Sequence, residues 1–294
     1  MTEALKAKLF HSLGVDGVYG RTGSYEAVVA GLTRCLDGLR PEAAEVCRFP
    51  PVMSRAQIER SGYLKSFPNL LGCMCALDQP EAQARVAAGT CTETADWTSL
   101  LSAGDLVLTP AACYPLYPIL AARGGLSEGG VTCDVACECF RREPSTAIDR
   151  FQSFRMREFV RIGAAQDIVQ FRQDWIARAR ALADDLGLPH KIDLASDPFF
   201  GRTGVLMANS QIEQALKFEL LVPVISAERP TACMSFNYHQ DHFGETWDLK
   251  THDGALAHTG CVAFGMDRLA VALFATHGPD STAWPLTLKA RLDL

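Results

Sequence analysis

Apolar side chains fall along this chain in two rhythms. Between 24 and 38, Tyr25, Val28, Leu32 and Leu36 recur every three or four positions, which predicts a helix with Ser24 as its cap. Between 167 and 186, Ile168, Phe171, Trp175, Ala179, Leu182 and Leu186 build one apolar stripe, and Gly187 stands at the stop. Elsewhere the rhythm shortens to strand-like runs. Residues 105–109 (DLVLT) read as a short strand and 110–118 as a Pro-punctuated loop. Residues 136–143 and 153–162 read as a hairpin joined by a polar loop with Pro144 and Ser145. Further strands are predicted near 215–225, 231–238 and 259–266, the last running into a helix at Arg268–Phe274. The stretch 48–70 mixes an apolar opening, Pro50-Pro51 and a Gly62 turn, which suits an interface strand or loop. Strand pairs with few helices between them predict an α+β fold, a mainly antiparallel sheet flanked by helices.

Composition bounds this picture. With 294 residues, 48% of them hydrophobic, the chain can bury one large core, and it reads as a single domain over 1–294. Net charge is −6, from 34 acids against 28 bases, with no basic block. That disfavours a dedicated nucleic-acid binder, tRNA included. No run reaches the roughly 18 apolar residues of a membrane span, and the N-terminus lacks a signal-like run, so a cytoplasmic protein without membrane contact is expected. Eleven irregularly spaced cysteines then read as buried thiols and a few metal ligands rather than disulfides.

The candidate chemistry lies on the hairpin. Cys139-Phe140-Arg141-Arg142-Glu143 is followed by Arg155-Met156-Arg157-Glu158-Phe159. Guanidinium forks bind phosphate, a carboxylate accepts from an exocyclic amine, and a phenyl face stacks on a base. In such a nucleotide pocket Arg141 sits on the α-phosphate, Arg155 and Arg268 hold the outer phosphates, Phe159 stacks on adenine, Glu143 takes its amino group and Arg150 is a mobile clamp. The plain alternative is a solvated sheet face laced with ion pairs. Cys113, Glu158 and Cys261 each lie beside a segment expected at one pocket. Two thiolates and a carboxylate would leave a zinc ion one open position. Spacing alone equally allows core cysteines and a Glu158 paired with Arg157 or Arg161. Cys133, Cys137 and Cys139 form a competing cluster, Cys73 and Cys75 read as packing, and His239 and His242 as a hydrogen-bonded pair near Asp241.

These segments, in order over about 48–275, resemble the class II aminoacyl-tRNA synthetases. The first signature falls at about 48–70, the second at about 136–162 and the third at about 259–274, ending in Arg268. QALKFELLVPV resembles the strand before their ATP-ribose and magnesium segment. Two departures stand out. Ala232 replaces the magnesium-binding Glu, although Ser235 is kept, and no tRNA-gripping arm or anticodon-binding domain is recognisable. TPAACYPLYP, SGYLKSFP, FRMREFVR, DPFFGR and TACMSFNYHQDHFG look closest to the amino acid:[carrier protein] ligases.

That resemblance implies an enzyme that activates a small amino acid, glycine or alanine, as its adenylate and loads it onto the phosphopantetheine thiol of a holo acyl or peptidyl carrier protein. It implies ATP contacts at Arg141, Glu143, Arg150, Phe151, Arg155, Phe159, Ala232, Ser235 and Arg268, with Arg141 and Arg268 catalytic. Cys113, Glu158 and Lys217 fall on the amino-acid side, Cys113, Glu158 and Cys261 on Zn²⁺, and Mg²⁺ accompanies ATP. A homodimer through the Pro50-Pro51 segment follows as well. Acidic carriers dock on basic patches, and Arg172, Arg178 and Arg180 on the 167–186 helix offer one. The rivals are a stand-alone synthetase acting on tRNA and an inactive regulatory paralogue.

Overall fold

The structure, a computed structural model, describes residues 2–89 and 97–294; Cys91 lies outside them. Helix α1 (Thr2–Leu9) leads into a hairpin of β1 (Phe10–Val15) and β2 (Val18–Arg21). Helix α2 (Gly23–Leu39) follows, with Thr22 rather than Ser24 at its cap position, where the Thr22 and Ser24 hydroxyls meet at 3.3 Å. The 48–70 stretch becomes β3 (Glu45–Arg48), β4 (Val52–Ser54), α3 (Arg55–Arg60) and α4 (Tyr63–Ser66). Gln57 N–H caps α3 by donating to Ser54 Oγ, and Gly62 takes φ +78° to turn the chain into α4.

Next come β5 (Cys73–Ala76), α5 (Pro80–Ala87), β6 (Ser102–Leu108) and α6 (Leu116–Ala122), the last cutting short the expected loop. The hairpin β7 (Val131–Phe140) and β8 (Ser153–Gly163) precedes α7 (Ala165–Asp185). Two unexpected elements follow, β9 (Lys191–Leu194) and α8 (Gly201–Glu213). The chain then runs through β10 (Lys217–Val222), β11 (Thr231–Gln240), α9 (His242–Trp247), β12 (His258–Gly265), α10 (Met266–His277) and α11 (Leu286–Leu292).

Seven strands form the main sheet in the order β3-β7-β8-β12-β11-β10-β9, antiparallel except for the parallel β3–β7 pair at one edge. Strands β4, β6 and β5 make a smaller sheet. Alternation along the central strands splits the core in two. Phe159, Phe236 and Phe264 turn toward Trp175 of α7 and the apolar face of α10. The Phe159 ring is fully buried 4.9 Å from that of Trp175, and burying a side chain of that size is worth about 1.5–3 kcal/mol. Val160, Ile162 and Cys261 face the opposite way, onto α6 and α9, where Tyr117 and Phe243 stack at 4.0 Å. Among the described residues no helix is long and apolar enough to cross a membrane.

Candidate active site

Strand register sets the site. Glu219 pairs with Ser235, Ser235 with Ala263, and Ala263 with Glu158, so one row of side chains crosses four strands. The neighbouring row is Lys217, Asn237, Cys261 and Val160. A cavity of about 130 Å³ lies over these rows, walled by Arg141, Glu143, Glu158, Lys217, Ser235 and Arg268.

Arg141, just past β7, donates from Nε to the Pro110 carbonyl at 2.9 Å and lays its guanidinium over the Phe154 ring at 5.5 Å. Arg268, in the first turn of α10, donates to the Ala232 carbonyl at 3.1 Å. Arg150 stands 3.9 Å from Glu143. Burial pulls the Arg268 guanidinium below its ordinary proton affinity, and the nearby charges of Arg150 and Arg141 pull it lower. The cavity is thus lined by both signs of charge, Arg141, Lys217 and Arg268 with Glu143, Glu158, Asp197 and Glu219. Phe151 and Ala232 line it as well.

Two expectations for this pocket need correcting. Phe159 cannot stack on a base: it is sealed in the core behind the sheet, on the face opposite Glu158. Phe154, which the sequence reading passed over, lines the cavity instead, and Arg150 precedes it at the same Arg-x-x-x-Phe spacing. Arg155 reaches the cavity wall, but its guanidinium is held by Asp267 at 2.7 Å and Glu26 at 2.6 Å. Buried Asp267 also binds Arg21 at 3.3 Å and accepts from the Tyr25 hydroxyl at 3.0 Å. Arg155 therefore belongs first to an ion-pair network.

Cys113, Glu158 and Cys261 do converge. The Cys113 N–H donates to Glu158 Oε1 at 3.0 Å, and the two thiols and the carboxyl lie within hydrogen-bonding reach of one another. Burial pushes the Glu158 carboxyl above its usual range. The Cys113 contact, then burial, push the Cys261 thiol well up. Among the described residues no group of three or more His, Cys, Asp or Glu side chains is arranged to hold a metal ion, this trio included. Its donor set of two sulfurs and one carboxyl is one that zinc accepts. Asn237 Nδ2 donates to Cys261 Sγ at 3.3 Å, an outer partner that sequence spacing did not reveal. Glu158 pairs with neither Arg157, which binds Asp134 at 2.6 Å, nor Arg161, whose ion pair is with Asp167.

The other candidates sort plainly. Cys133, Cys137 and Cys139 are core thiols, while Cys73 and Cys75 are exposed rather than packed. His239 and His242 do not bond each other: His239 meets Thr259 Oγ1 at 3.0 Å, and His242 the Ser61 carbonyl at 3.3 Å. Lys217 Nζ lies 2.6 Å from Asp197 and 3.1 Å from Glu219. Burial works against its charge, but the two carboxylates outweigh burial and raise its pKa. Asp197, from the DPFFGR segment, was missed as a site residue. Gln211 of α8 grips it, accepting from its N–H at 2.7 Å and donating to its carboxylate at 2.9 Å.

Asp197 and Asn237 also line a second cavity, of about 480 Å³, with Tyr63, Tyr114, Phe199 and Leu206. A narrower space of about 120 Å³, bounded by Tyr63, Tyr114, Arg141 and Asp197, adjoins both. Helix α8 roofs the larger cavity and carries an apolar outer surface, with Phe200 58%, Val205 60% and Leu206 69% exposed. The basic face expected on α7 is depleted. Arg172 is tied to the Ala215 carbonyl at 2.6 Å and lies over Phe218, and Arg178 covers Trp175.

No family model matches the chain. It is 59% identical over 290 residues, 99% of its length and 89% of the relative's, to amino acid–[acyl-carrier-protein] ligase 1 of Bradyrhizobium diazoefficiens. The fold matches that of M. kandleri seryl-tRNA synthetase, in complex with A. aeolicus tRNASec, with a TM-score of 0.82 at 22% identity, covering 99% of this chain and 59% of that one. It matches the Pyrococcus horikoshii seryl-tRNA synthetase complexed with ATP with a TM-score of 0.72 at 16% identity, covering 100% and 63%. The architecture is that of the class II synthetase catalytic domains, an α+β fold on a mainly antiparallel sheet.

Proposed function

This chain belongs to the amino acid–[acyl-carrier-protein] ligases, and from that premise we propose that it activates glycine or alanine with ATP and passes it to a holo carrier protein. The observation that carries the reading is that Arg141 and Arg268 border the same cavity as Lys217 and Glu158, with Arg150 close enough to Arg268 for their charges to interact.

In the first step the amino acid carboxylate attacks the α-phosphorus of ATP and pyrophosphate leaves. Arg141 stabilises charge growing on the α-phosphate, while Arg268 and Arg150 take the outer phosphates. Phe154 stacks on adenine and Glu143 accepts from its amino group. Ser235, with Glu219 paired across from it, would hold the magnesium that accompanies ATP; Ala232 brings no side-chain donor. Cys113, Glu158 and Cys261 would hold zinc, which supplies a Lewis acid for a neutral amino group. Ala111 and Ala263 line the cavity with small side chains. In the second step the carrier thiol attacks the activated carbonyl carbon, the carbonyl–phosphate bond breaks, and AMP leaves as the thioester forms; the thiol proton passes to solvent. We place carrier docking on α8, beside Arg202 and the exposed Leu64 and Lys65 of α4, instead of on α7. The protein acts as a homodimer in this reading.

The test is pyrophosphate exchange with each of the twenty amino acids, on metal-replete and chelated enzyme, followed by thioester formation on holo carrier protein and charging of total tRNA. Exchange with glycine or alanine, loss on chelation, and label on carrier but not on tRNA is the expected pattern. Label on tRNA alone would replace this reading with that of a stand-alone synthetase.

A further inference from the structure

Buried polar atoms without a partner are rare, because each costs about 1–3 kcal/mol of unreturned desolvation. Five such side-chain atoms occur among the described residues, on Tyr63, Tyr117, Asp149, Arg172 and Trp247. Tyr63 alone among them lines the cavities described above, and it lines two: the roomy space under α8 and the narrow one leading to Arg141. It does not line the cavity that holds Lys217, Ser235 and Arg268. The ring is 4% exposed and wedged between Phe67, at 5.2 Å between centroids, and Tyr114, at 5.5 Å. Gly62, with φ +78°, turns the chain just before it. Backbone and ring are therefore held, and the hydroxyl oxygen, closed off from solvent in this conformation, has no hydrogen-bond partner in the protein although the residue borders both spaces.

We propose that the Tyr63 hydroxyl is a ligand-binding donor reserved for an amide carbonyl of the pantetheine arm, and so a positioning residue for thioester formation rather than for adenylation. This rests on the carrier-loading reading above. Tyr63 borders the small space that also touches Arg141 but not the cavity of Lys217, Ser235 and Arg268, so a chain threaded from under α8 toward Arg141 would pass it. Burial pushes its phenol up to about 12, so it stays a donor at working pH.

Tyr63→Phe removes the oxygen and keeps the ring contacts. The expected result is a roughly tenfold fall in kcat/KM for a pantetheine-bearing carrier, seen chiefly in KM, with less than a twofold change in amino-acid-dependent pyrophosphate exchange. With cysteamine, a thiol that lacks the amide, wild type and variant should transfer at equal rates. The thermal midpoint should hold or rise, since the variant removes an unsatisfied buried group. Equal losses in exchange and transfer, equal losses with pantetheine and cysteamine, or no loss at all would each overturn the inference. No thioester on carrier from the unaltered enzyme would overturn it together with the functional reading, whereas thioester at the same rate from both proteins would overturn the inference alone.

Discussion

Two groups of arginines look alike in sequence and differ in what they touch. Arg155 and Arg157 of β8 end on buried carboxylates. Asp134, fully buried, takes Arg157 at 2.6 Å, Arg48 at 3.1 Å and Arg40 at 3.4 Å, and Asp267 takes Arg155 and Arg21. Arg141 and Arg268 end instead on backbone carbonyls, and Arg268 is pulled down first by burial and then by the charges of Arg150 and Arg141. The first group is compensated from within and holds the hairpin against α2 and α10. The second makes no close ion pair with a carboxylate, although Glu143 and Asp197 act on Arg141 from a distance, and under the proposed function it is the group left to meet a triphosphate.

The sharpest way to break this contrast is Asp134→Ala. It removes the carboxylate shared by three guanidinium groups, of which Arg157 and Arg40 keep Asp37, and should lower unfolding free energy by about 3 kcal/mol in urea titration. Unchanged stability with lost exchange activity would show the network to be part of the site. Next is Arg268→Ala, expected to cut pyrophosphate exchange by roughly 10²–10³ while leaving the thermal midpoint level or higher, because a crowded cation has gone. A fall in midpoint comparable to that of Asp134→Ala would erase the distinction. The two phenylalanines sharpen it further. Phe154→Ala should raise KM for ATP roughly tenfold through lost stacking, and Phe159→Leu should change stability without touching that KM.

The second signature shows how much the sequence could tell. Its arginines, its carboxylates and the order of its segments were all readable, and so was the α+β sheet, because hairpin alternation is a local property. Phe159 was read as facing the cavity because Arg-x-x-x-Phe occurs twice, at Arg150–Phe154 and at Arg155–Phe159. Strand parity held the answer. Glu158 and Phe159 are neighbours on one strand and must face opposite ways, so they cannot both line one cavity. Asp197, Gln211 and the orphaned Tyr63 hydroxyl were out of reach, since α8 and α4 meet the sheet only through tertiary contacts with no periodic signal. Helix α8 itself hid because Leu206, Met207 and Ile212 lie on a helix with little buried surface.

The smallest expected effect concerns the Asp197–Lys217 pair. Burial opposes the Asp197 charge, but Lys217 and the Gln211 hydrogen bond hold its carboxyl below the ordinary range. Its folded pKa is thus lower than its unfolded one. The stabilisation is complete above the usual carboxylate value of about 3.9 and fades as pH falls through the folded value. Asp197→Asn should therefore melt about 2–4 °C lower at neutral pH, and the gap should close in acid. A gap that persists in acid would assign the effect to packing.

The sharing of Asp197 and Asn237 by two cavities has a chemical consequence. A mixed anhydride of an amino acid and a nucleotide is destroyed by bulk water. In the proposed reaction, chambers that share Asp197 and Asn237 would let the anhydride form in one and meet a sulfur nucleophile arriving through the other. Such a molecule never has to leave shelter between its formation and its use.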